Sequence, residues 1–388
     1  MARYALLLRA NVNRVFGESA FALAAGELTA LAPALGGPLG APVRTTIGGV
    51  DYLLVDADAP LDELQVAVLS NLSSLHALFE VDHDRFRPIT ISPRRVLDED
   101  LITIQRYAGK TNEAFTHLLV NLALAAGSDA LPRLLAGERL RLLDPACGRG
   151  TSLNRAALYG MDAVGIDIDE RDIDAYRTFF ATWLKDKRLK HTVEQAHLRK
   201  GRDEPAHRVT ITYGRGRDVA SHRTVDAVHD DTIRAREHFG ARSMDLLVCD
   251  LPYGVRHGSR PDAGALDRGP ERLLAAALPV WLDLLRPGAA AALAWNRRVL
   301  DRGRLAALVT DAGFACSPGD DDRFVHAVDR SITRDVLVAV RPGLTIRADM
   351  TGLSGLVVRS SRPDPHGRDV GHVDSALVEG GPTRGHRR

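Results

Sequence analysis

The chain has little cysteine and few aromatic residues. Among its 388 residues are 3 cysteines, and phenylalanine, tyrosine and tryptophan together account for 5%. Cys147, Cys249 and Cys316 lie far apart, which excludes a disulfide framework and the paired spacing of a cysteine metal site. We therefore expect reduced thiols and no metal ion.

A strong charge of one sign and a long apolar run are also missing. The formal net charge is +1, so contact with a nucleic acid would depend on local basic patches. No stretch is apolar and long enough to cross a membrane, and the chain starts without a basic and apolar leader. These absences predict a cytoplasmic protein with no membrane partner. The 45% hydrophobic content allows a sizeable core, and the length fits two or three domains of ~100–200 residues.

Residues 1–100 predict a small α+β domain. Strand-like segments occur at Tyr4–Leu8 and Tyr52–Val55, and apolar residues follow helical spacing over Phe21–Leu31 and Leu61–Leu78. No catalytic motif occurs in this part. Prolines and mixed charge over Arg85–Asp100 predict a connection to the next domain.

Residues 101–345 predict an α/β domain with a Rossmann-like, doubly wound sheet. A helix is expected over Asn112–Ala126, and after it short apolar strands alternate with helices. The strand candidates are Leu140–Leu143, Ala163–Ile166, Val225–Val228, Leu246–Cys249, Ala290–Ala294 and Val336–Val340. A basic insertion at about 185–223, with a strand-like run at Val209–Tyr213, could grip phosphates or simply face water. Residues 346–388, rich in proline, glycine, histidine and arginine, predict a disordered tail.

A glycine-rich turn, Asp144-Pro145-Ala146-Cys147-Gly148-Arg149-Gly150, follows the first of these strands. Gly148 and Gly150 let the backbone approach a ligand closely, and the next helix points its positive end at the same place. Such a turn suits the carboxylate of S-adenosylmethionine, and Asp144 at the strand tip is placed to take the ammonium group. The second strand ends near Asp167, an acidic residue at the spacing that suits hydrogen bonds to ribose hydroxyls.

Other interpretations of these residues remain open. A glycine turn before a helix is also an ordinary tight connection. A nicotinamide dinucleotide is a weaker candidate because Leu153 stands where its fingerprint needs a small residue. Asp231, after the third strand, could reach the adenine amino group or merely cap the next turn. The predicted cofactor is S-adenosylmethionine, and its candidate contacts are Asp144, Cys147, Gly148, Gly150, Asp167 and Asp231.

The segment Asp250-Leu251-Pro252-Tyr253-Gly254 follows an apolar strand. An exocyclic base amine is a poor nucleophile because its lone pair is delocalised into the ring, and hydrogen-bond acceptors restore its reactivity. Asp250 offers a carboxylate, Leu251 a carbonyl whose direction is restricted by the following proline, and Tyr253 a ring for stacking. The predicted catalytic residues are Asp250, Leu251, Pro252 and Tyr253, which act by positioning and proton acceptance without a metal. The alternative is a surface turn.

These motifs resemble those of the tRNA guanine-N2 methyltransferases of the THUMP-associated class, and more broadly the amino-methyltransferases with an Asp/Asn-Pro-Pro-Tyr motif. The resemblance spans about Gln105 to Pro342 and includes two further stretches, Gly109–Phe115 and Asp329–Asp335. It implies that Asp144, Gly148, Gly150 and Asp167 hold S-adenosylmethionine and that Asp250, Pro252 and Tyr253 hold the target base. It also implies tRNA or another structured RNA as the partner.

The sequence departs from this family at three motif positions and in its N-terminal part. Leu251 replaces the usual first proline, Ala146 replaces a Phe or similar residue, and Arg149 replaces a threonine beside the cofactor loop. The helix at Leu23–Leu31 resembles the family's leading domain, but too little chain remains for a complete THUMP domain, so the resemblance implies a reduced RNA-binding module over residues 1–100. An accessory subunit could therefore complete RNA capture.

Several other side chains have simpler interpretations. Trp281 and Trp295 are expected in the core, and Arg297 is a candidate contact for a substrate phosphate. The histidines of the basic insertion do not have metal-binding spacing and receive no role; they are His191, His197, His207 and His222.

The sequence thus predicts an S-adenosylmethionine-dependent RNA methyltransferase that modifies guanine N2 in tRNA. One alternative is an adenine-N6 methyltransferase acting on DNA or RNA, because the same acceptor geometry fits either amine. A second alternative is a non-catalytic RNA-binding protein that retains the fold, which the departures at Leu251 and Arg149 keep open.

Overall fold

A computed structural model describes most of the chain. The described residues are 1–10, 14–35, 39–198, 206–214, 221–251, 270–316 and 322–343. Pro252, Tyr253 and the predicted tail at 346–388 lie outside the described residues.

The N-terminal part is built on a five-stranded antiparallel sheet. Its strands are β1 (Ala2–Leu8), β2 (Val43–Ile47), β3 (Val50–Ala57), β4 (Leu75–Asp82) and β5 (Arg85–Ile89), in the spatial order β2-β3-β1-β4-β5. Two α-helices accompany it, α1 (Arg14–Leu31) and α2 (Glu63–Ser70).

Two sequence predictions for this part are wrong in detail. The helical spacing over Leu61–Leu78 covers α2 and then the start of β4, because a capping box between Asp62 and Gln65 starts the helix and Asn71 ends it. The predicted connection over Arg85–Asp100 begins with β5, an edge strand, where Pro88 removes a donor that the sheet does not need.

The second sheet contains the six predicted strands and four more. Its strands are β6 (Arg141–Asp144), β7 (Asp162–Asp167), β8 (Lys190–Leu198), β9 (Ala206–Gly214), β10 (Arg223–His229), β11 (Met244–Asp250), β12 (Leu285–Asn296), β13 (Ala315–Cys316), β14 (His326–Ala327) and β15 (Thr333–Val340). The order is β13-β15-β12-β11-β6-β7-β10-β9-β8, with β14 paired to β15. The central five, β12 to β10, are parallel, and the flanking strands are antiparallel.

Helices cover both faces of this sheet. They are α3 (Asp100–Thr103), α4 (Glu113–Ala126), α5 (Ala130–Leu135), α6 (Thr151–Tyr159), α7 (Glu170–Asp186), α8 (Ala235–His238), α9 (Pro270–Leu284) and α10 (Arg302–Asp311). Alternate residues of β11 enter different core clusters, Leu246 and Val248 on one face and Leu247 and Cys249 on the other. The predicted α/β, doubly wound fold class is confirmed. Within the described residues, no helix has the length and apolar character needed to traverse a membrane.

The predicted core tryptophans and the basic insertion are also placed. Trp281 and Trp295 are buried, as predicted. The strand-like run at Val209–Tyr213 lies in β9, which forms a hairpin with β8 and continues the sheet beyond β10. The insertion therefore extends the sheet rather than forming a loop on its surface.

Residues from both sheets share one apolar cluster, and a buried polar network joins them. Glu27 in α1 is fully buried and accepts hydrogen bonds from Ser73 N at 3.0 Å and from Asn121 Nδ2 at 2.6 Å. Tyr159 in α6 donates to Asn121 Oδ1 at 2.9 Å. Burial raises the pKa of the Glu27 carboxyl to about 7, because the charged form loses its hydration.

Candidate active site

Three aspartates end neighbouring parallel strands at one edge of the second sheet. Asp144 ends β6, Asp167 ends β7 and Asp250 ends β11, and β6 lies between the other two. Because the strands are parallel, their carboxyl ends point the same way. Burial raises the pKa of Asp144 most, and the negative charges of Asp167 and Asp250 raise it further, which is consistent with three closely placed carboxyls. The glycine turn and the Asp250 tip therefore lie at the same sheet edge, as their predicted joint function requires.

The glycine turn after β6 is held by hydrogen bonds to β7. Cys147 N donates to Ile166 O at 3.0 Å, and Gly148 N donates to Asp167 Oδ2 at 2.7 Å. Gly150 has φ +77°, and a Cβ there would lie 2.3 Å from the ring of buried Tyr176. Glycine is therefore required at this position by both conformation and space.

Cys147 has a packing role in the turn. Its side chain is buried, and a Cβ added at Gly165 in β7 would come within 2.6 Å of its sulfur. Burial raises the pKa of the Cys147 thiol well above its usual range, so the sulfur stays neutral. Among the predicted cofactor residues, Cys147 thus contributes through the backbone of the turn.

Asp144 is a buried carboxyl at the tip of β6. It accepts a hydrogen bond from Ala146 N at 3.1 Å and another from the hydroxyl of Ser152. Burial is the main cause that raises the pKa of Asp144 to about 7. A cationic group brought beside it would favour its ionised form, which suits the predicted contact with an ammonium group.

Asp167 closes the turn with both carboxylate oxygens. In addition to Gly148 N, it accepts a hydrogen bond from Asp169 N at 2.9 Å. Burial raises the pKa of the Asp167 carboxyl, and the two backbone donors oppose this effect. Each carboxylate oxygen has two lone-pair sites, so ribose hydroxyls can donate to Asp167 without displacing the turn.

Asp231 lies after β10 and caps a short 3₁₀ helix. Its side chain accepts a hydrogen bond from Ile233 N at 3.1 Å, so the geometry is that of the capping alternative. The neighbouring Asp230, which sequence reasoning did not select, is buried and accepts from His238 Nε2 at 2.6 Å. Its backbone N–H donates to Asp167 O at 3.0 Å, which ties the end of β10 to the end of β7.

Asp250, at the end of β11, is held by two segments from elsewhere in the chain. Thr111 Oγ1 donates to Asp250 Oδ2 at 2.6 Å, and Arg334 Nη2 lies 3.2 Å from the same oxygen. The guanidinium of Arg334 is buried and stacks 4.7 Å from the ring centre of Phe115. Both contacts come from the stretches Gly109–Phe115 and Asp329–Asp335, which carried part of the family resemblance.

Leu251 continues the line of β11 for one residue. Its backbone N–H donates to Ala294 O in β12 at 2.8 Å, and its side chain is buried. Pro252 and Tyr253 lie outside the described residues, so their roles stay predictions.

The segment before α4 covers the glycine turn. Gln105 Nε2 donates to Arg149 O at 3.1 Å, and the Tyr107 hydroxyl is 2.9 Å from Thr151 Oγ1. The Arg149 side chain donates to Asp172 at 2.8 Å and lies 5.0 Å from the Tyr107 ring centre. Arg149, one of the departures from the family, is therefore taken up by contacts with these two neighbours. Sequence reasoning missed Gln105, Tyr107 and Thr111 as site residues, although the resemblance included the stretch around Thr111.

Two histidines meet through strand pairing rather than through sequence spacing. His207 in β9 pairs with His229 in β10, and potential ligand atoms of these residues and of Glu170 lie within 4.8 Å of one another. Burial, with His229 nearby, lowers the pKa of His207. This group could hold a metal ion, so the expectation of no metal stays a prediction.

Arg297 directly follows β12, at the carboxyl end of the strand. Its guanidinium pairs with Asp322 at 2.5 Å and lies 3.9 Å from Asp335. These carboxylates engage the side chain that was predicted to contact a substrate phosphate, so the structure gives that role no support.

Residues 120–279 match a family model, UPF0020, described as an RMKL-like methyltransferase domain. The match covers less than half of the chain, but it includes the glycine turn and the Asp250 tip. The chain thus carries a methyltransferase domain, and the predicted cofactor, S-adenosylmethionine, is confirmed at this level. No curated protein sequence matches the chain.

Solved structures with a similar arrangement are distant in sequence. A TehB-like SAM-dependent methyltransferase from Corynebacterium glutamicum is 16% identical, with 54% of this chain and 85% of that chain covered and a TM-score of 0.32. An rRNA methylase from Streptococcus thermophilus is 11% identical, with coverages of 53% and 87% and a TM-score of 0.30. Magnesium protoporphyrin IX methyltransferase from Synechocystis PCC 6803, solved with bound SAM, is 15% identical, with coverages of 61% and 86% and a TM-score of 0.33. Likenesses at this level give no basis for choosing a substrate.

Proposed function

We propose that this protein transfers a methyl group from S-adenosylmethionine to the exocyclic N2 of a guanine in RNA, with tRNA as the substrate. The observation that carries the proposal is the placement of Asp250 at the same sheet edge as the glycine turn, together with the contacts that Thr111 and Arg334 make to it. A cytoplasmic location and the absence of a membrane partner belong to the same proposal.

The residues of the turn fit the cofactor. A Cβ added at Gly148 would meet only Asp172 Oδ2, at 3.9 Å, so the described residues leave this face of the turn open to a ligand. Asp144 would pair with the ammonium group, Asp167 would accept from the ribose hydroxyls, and the start of α6 would face the carboxylate. S-adenosylmethionine supplies an electrophilic methyl group on a sulfonium. The adenine side would lie toward Asp230 and Asp231 at the end of β10.

Asp250 acts on the amine that is methylated. Its carboxylate accepts a hydrogen bond from the amino group, which localises the nitrogen lone pair and directs it toward the methyl carbon. As the new N–C bond forms and the S–C bond breaks, the amine gives up a proton for which Asp250 is the nearest proposed acceptor. Thr111 and Arg334 are positioning residues, because they hold Asp250 Oδ2 in place. Contact with the base is assigned to Asp250 and to the predicted residues that follow it.

The choice of guanine N2 in tRNA depends on the two stretches that hold Asp250. Both are similar to elements of the THUMP-associated tRNA enzymes, and both contribute a side chain to the acceptor side of the site. Adenine N6 in DNA or RNA remains the second candidate, because the contacts of Asp250 suit either amine.

The test is to incubate the protein with labelled S-adenosylmethionine and separate pools of tRNA and DNA, and then to identify the labelled nucleoside after digestion. We expect N2-methylguanosine from tRNA and no label with Asp250→Asn. Labelled N6-methyladenine would instead support the second candidate. Tandem measurement of mono- and dimethylated products would also give the number of methyl groups added.

Cofactor binding separates an enzyme from a non-catalytic RNA-binding protein with the same fold. In calorimetry with S-adenosylmethionine, we expect a clear binding heat for the wild type and a strongly weakened one for Asp167→Ala. Absence of heat in both proteins, with retained tRNA binding, would contradict the proposed enzyme and favour the binding module.

A further inference from the structure

A cleft of about 590 Å³ lies between the N-terminal sheet and the methyltransferase domain. Its walls come from the end of β1, the loop between α2 and β4, the segment that follows β5, and the helices α4 and α6. Four arginines from three parts of the chain line it: Arg9, Arg94, Arg95 and Arg155. A concave site with this many cations is a candidate for binding an anion.

Arg155 is the least satisfied of these cations. Its side chain lies in α6 with 5% exposure, and its Nε has no hydrogen-bond partner. The negative charge of Glu99 acts on it, but Glu99 itself forms ion pairs with Arg9 and Arg95. Its closest aromatic contact is the Tyr159 ring, 6.0 Å from the guanidinium carbon. Burial is the main reason that the pKa of Arg155 is lowered to about 10, and the group remains charged at neutral pH. A buried cation that shares one carboxylate with two other arginines is costly, and an anion in the cleft would reduce that cost.

The carboxylates of the cleft are already used by other cations. Glu99 pairs with Arg9 at 2.9 Å and with Arg95 at 2.7 Å. Glu113 pairs with Lys110 at 2.5 Å. The lining His117 is buried, and its pKa is lowered well below its usual range by burial and by the neighbouring arginines. The cleft therefore keeps an excess of positive charge.

Two segments in the wall of the cleft adjoin active-site residues in the sequence. Asn112 and Glu113 in its wall directly follow Thr111, which contacts Asp250. Arg155 lies one helical turn after Thr151, where α6 leaves the glycine turn. A polyanion bound in the cleft would thus run beside the elements that position both the cofactor and the target amine.

We propose that this cleft binds a backbone phosphate of the RNA substrate, with Arg155 as its buried ligand and Arg95 at its rim. This inference rests on the proposed function, because it assumes that RNA is the substrate. The planar guanidinium of arginine matches two phosphate oxygens at once, which a lysine cannot do. The N-terminal part is too short for a complete THUMP domain. Phosphate binding in this cleft would still give it a role in holding RNA.

The experiment measures the affinity of fluorescently labelled tRNA at several salt concentrations. Arg155→Met keeps the length and apolar stem of the side chain, and we expect about tenfold weaker tRNA binding. The slope of log affinity against log salt should fall by about 0.7–0.9, the value for one lost phosphate contact. Binding of S-adenosylmethionine should be unchanged.

Unchanged binding of S-adenosylmethionine separates this effect from misfolding, and two further variants separate it from a general loss of charge. Arg95→Gln removes a half-exposed cation while Glu99 keeps Arg9, and we expect about threefold weaker tRNA binding. Arg286→Gln is the matched control, because Arg286 lies at the start of β12 and does not line the cleft. The substitution removes one positive charge, and Asp245 keeps its ion pair with Arg133. It should leave both the affinity and the salt slope unchanged.

Wild-type methylation of tRNA with unchanged tRNA affinity in Arg155→Met and Arg95→Gln would overturn this inference and leave the proposed function intact. Equal weakening by all three variants would also overturn it, since the effect would then be one of net charge. A wild type that neither binds nor methylates RNA would refute the proposed function itself. Arginine-dependent binding of polyglutamate, without such an effect on tRNA, would instead assign the cleft to an acidic protein.

Discussion

The two strand ends that form the candidate site are stabilised in different ways. The glycine turn after β6 is held mainly by residues close to it in sequence, through hydrogen bonds to β7 and packing against Tyr176 and Gly165. Asp250 after β11 is held by side chains that are distant in sequence, namely Thr111, which lies 139 residues earlier in the chain, and Arg334 in β15. The cofactor side is thus mainly a local structure, whereas the acceptor side is assembled from three distant segments. Substitutions on the two sides should therefore affect different steps.

The largest expected effect comes from Asp250→Asn. The amide keeps the shape of the side chain but cannot take a proton, so we expect the rate of methyl transfer to fall about a thousandfold. The affinity for S-adenosylmethionine should stay within a factor of about two, because the proposed cofactor contacts lie at the ends of β6, β7 and β10 and not on β11. Single-turnover transfer and calorimetry measure the two quantities. An equal loss of both would show that the two strand ends do not act separately.

Gly150→Ala tests the cofactor side in the opposite sense. The new Cβ would meet the Tyr176 ring at 2.3 Å in a backbone with φ +77°, and stacking on Phe180 limits movement of that ring. We expect the free energy of unfolding to fall by about 3–4 kcal/mol, together with loss of cofactor binding.

Gly137→Ala is the control for Gly150→Ala. Gly137 has a similar φ of +85°, but nothing described lies within 4 Å of an added Cβ. It should cost only about 1–2 kcal/mol and leave cofactor binding intact. Both stabilities are measured by denaturant unfolding. Similar losses in the two variants would mean that the Tyr176 ring moves away and that the turn is not tightly packed against it.

Arg334→Gln and Thr111→Val test the two side-chain contacts that hold Asp250. We expect about a thirtyfold loss in transfer rate for Arg334→Gln, since a charged contact is removed, and about a fivefold loss for Thr111→Val. Cofactor affinity should not change in either variant. Arg298→Gln, which alters a half-exposed arginine bonded to Thr333 and Arg330, is the control for Arg334. Weaker cofactor binding in Arg334→Gln would contradict the separation of the two sides.

A more gradual effect is expected in the pH dependence of cofactor affinity. The pKa of Asp144 is raised to about 7, and pairing with an ammonium group would lower it. Below pH 7 the carboxyl is protonated in the free protein, so affinity should fall as pH falls, by at most about tenfold per unit. Above pH 7 the affinity gains nothing more from Asp144. Calorimetry between pH 5.5 and 7.5 should show this slope in the wild type and a flat line in Asp144→Asn.

The contrast between the two sides also explains what the sequence could predict. Each parallel strand is a short apolar run next to a helix, and the glycine turn has its strand, its glycines and its acidic partner within one stretch, so local pattern was sufficient. The contacts of Asp250 depend on which distant segments reach it, and only similarity to a family drew attention to the stretches that contain Thr111 and Arg334. No spacing rule connects these residues with Asp250.

Two other features were hidden for related reasons. His207 and His229 become neighbours only because β9 pairs with β10, so their separation in sequence carries no signal. The buried Arg155 looks in the sequence like an ordinary residue of a helix, and its burial beside other arginines depends on how α6 packs against the N-terminal part. Asp231 illustrates the opposite case, since helix capping, a local role, describes its observed contact.

The network of Glu27, Ser73 and Asn121 has a practical consequence for anyone who wishes to divide this protein. Cutting the chain at about residue 100 would remove Glu27 and Asn71, which leaves the Asn121 amide nitrogen without its two acceptors on a newly exposed apolar surface of α4. A shortened methyltransferase fragment would then be prone to aggregate, and its inactivity would say nothing about RNA recognition. Single substitutions in the intact chain are the sounder way to assign roles to its N-terminal third.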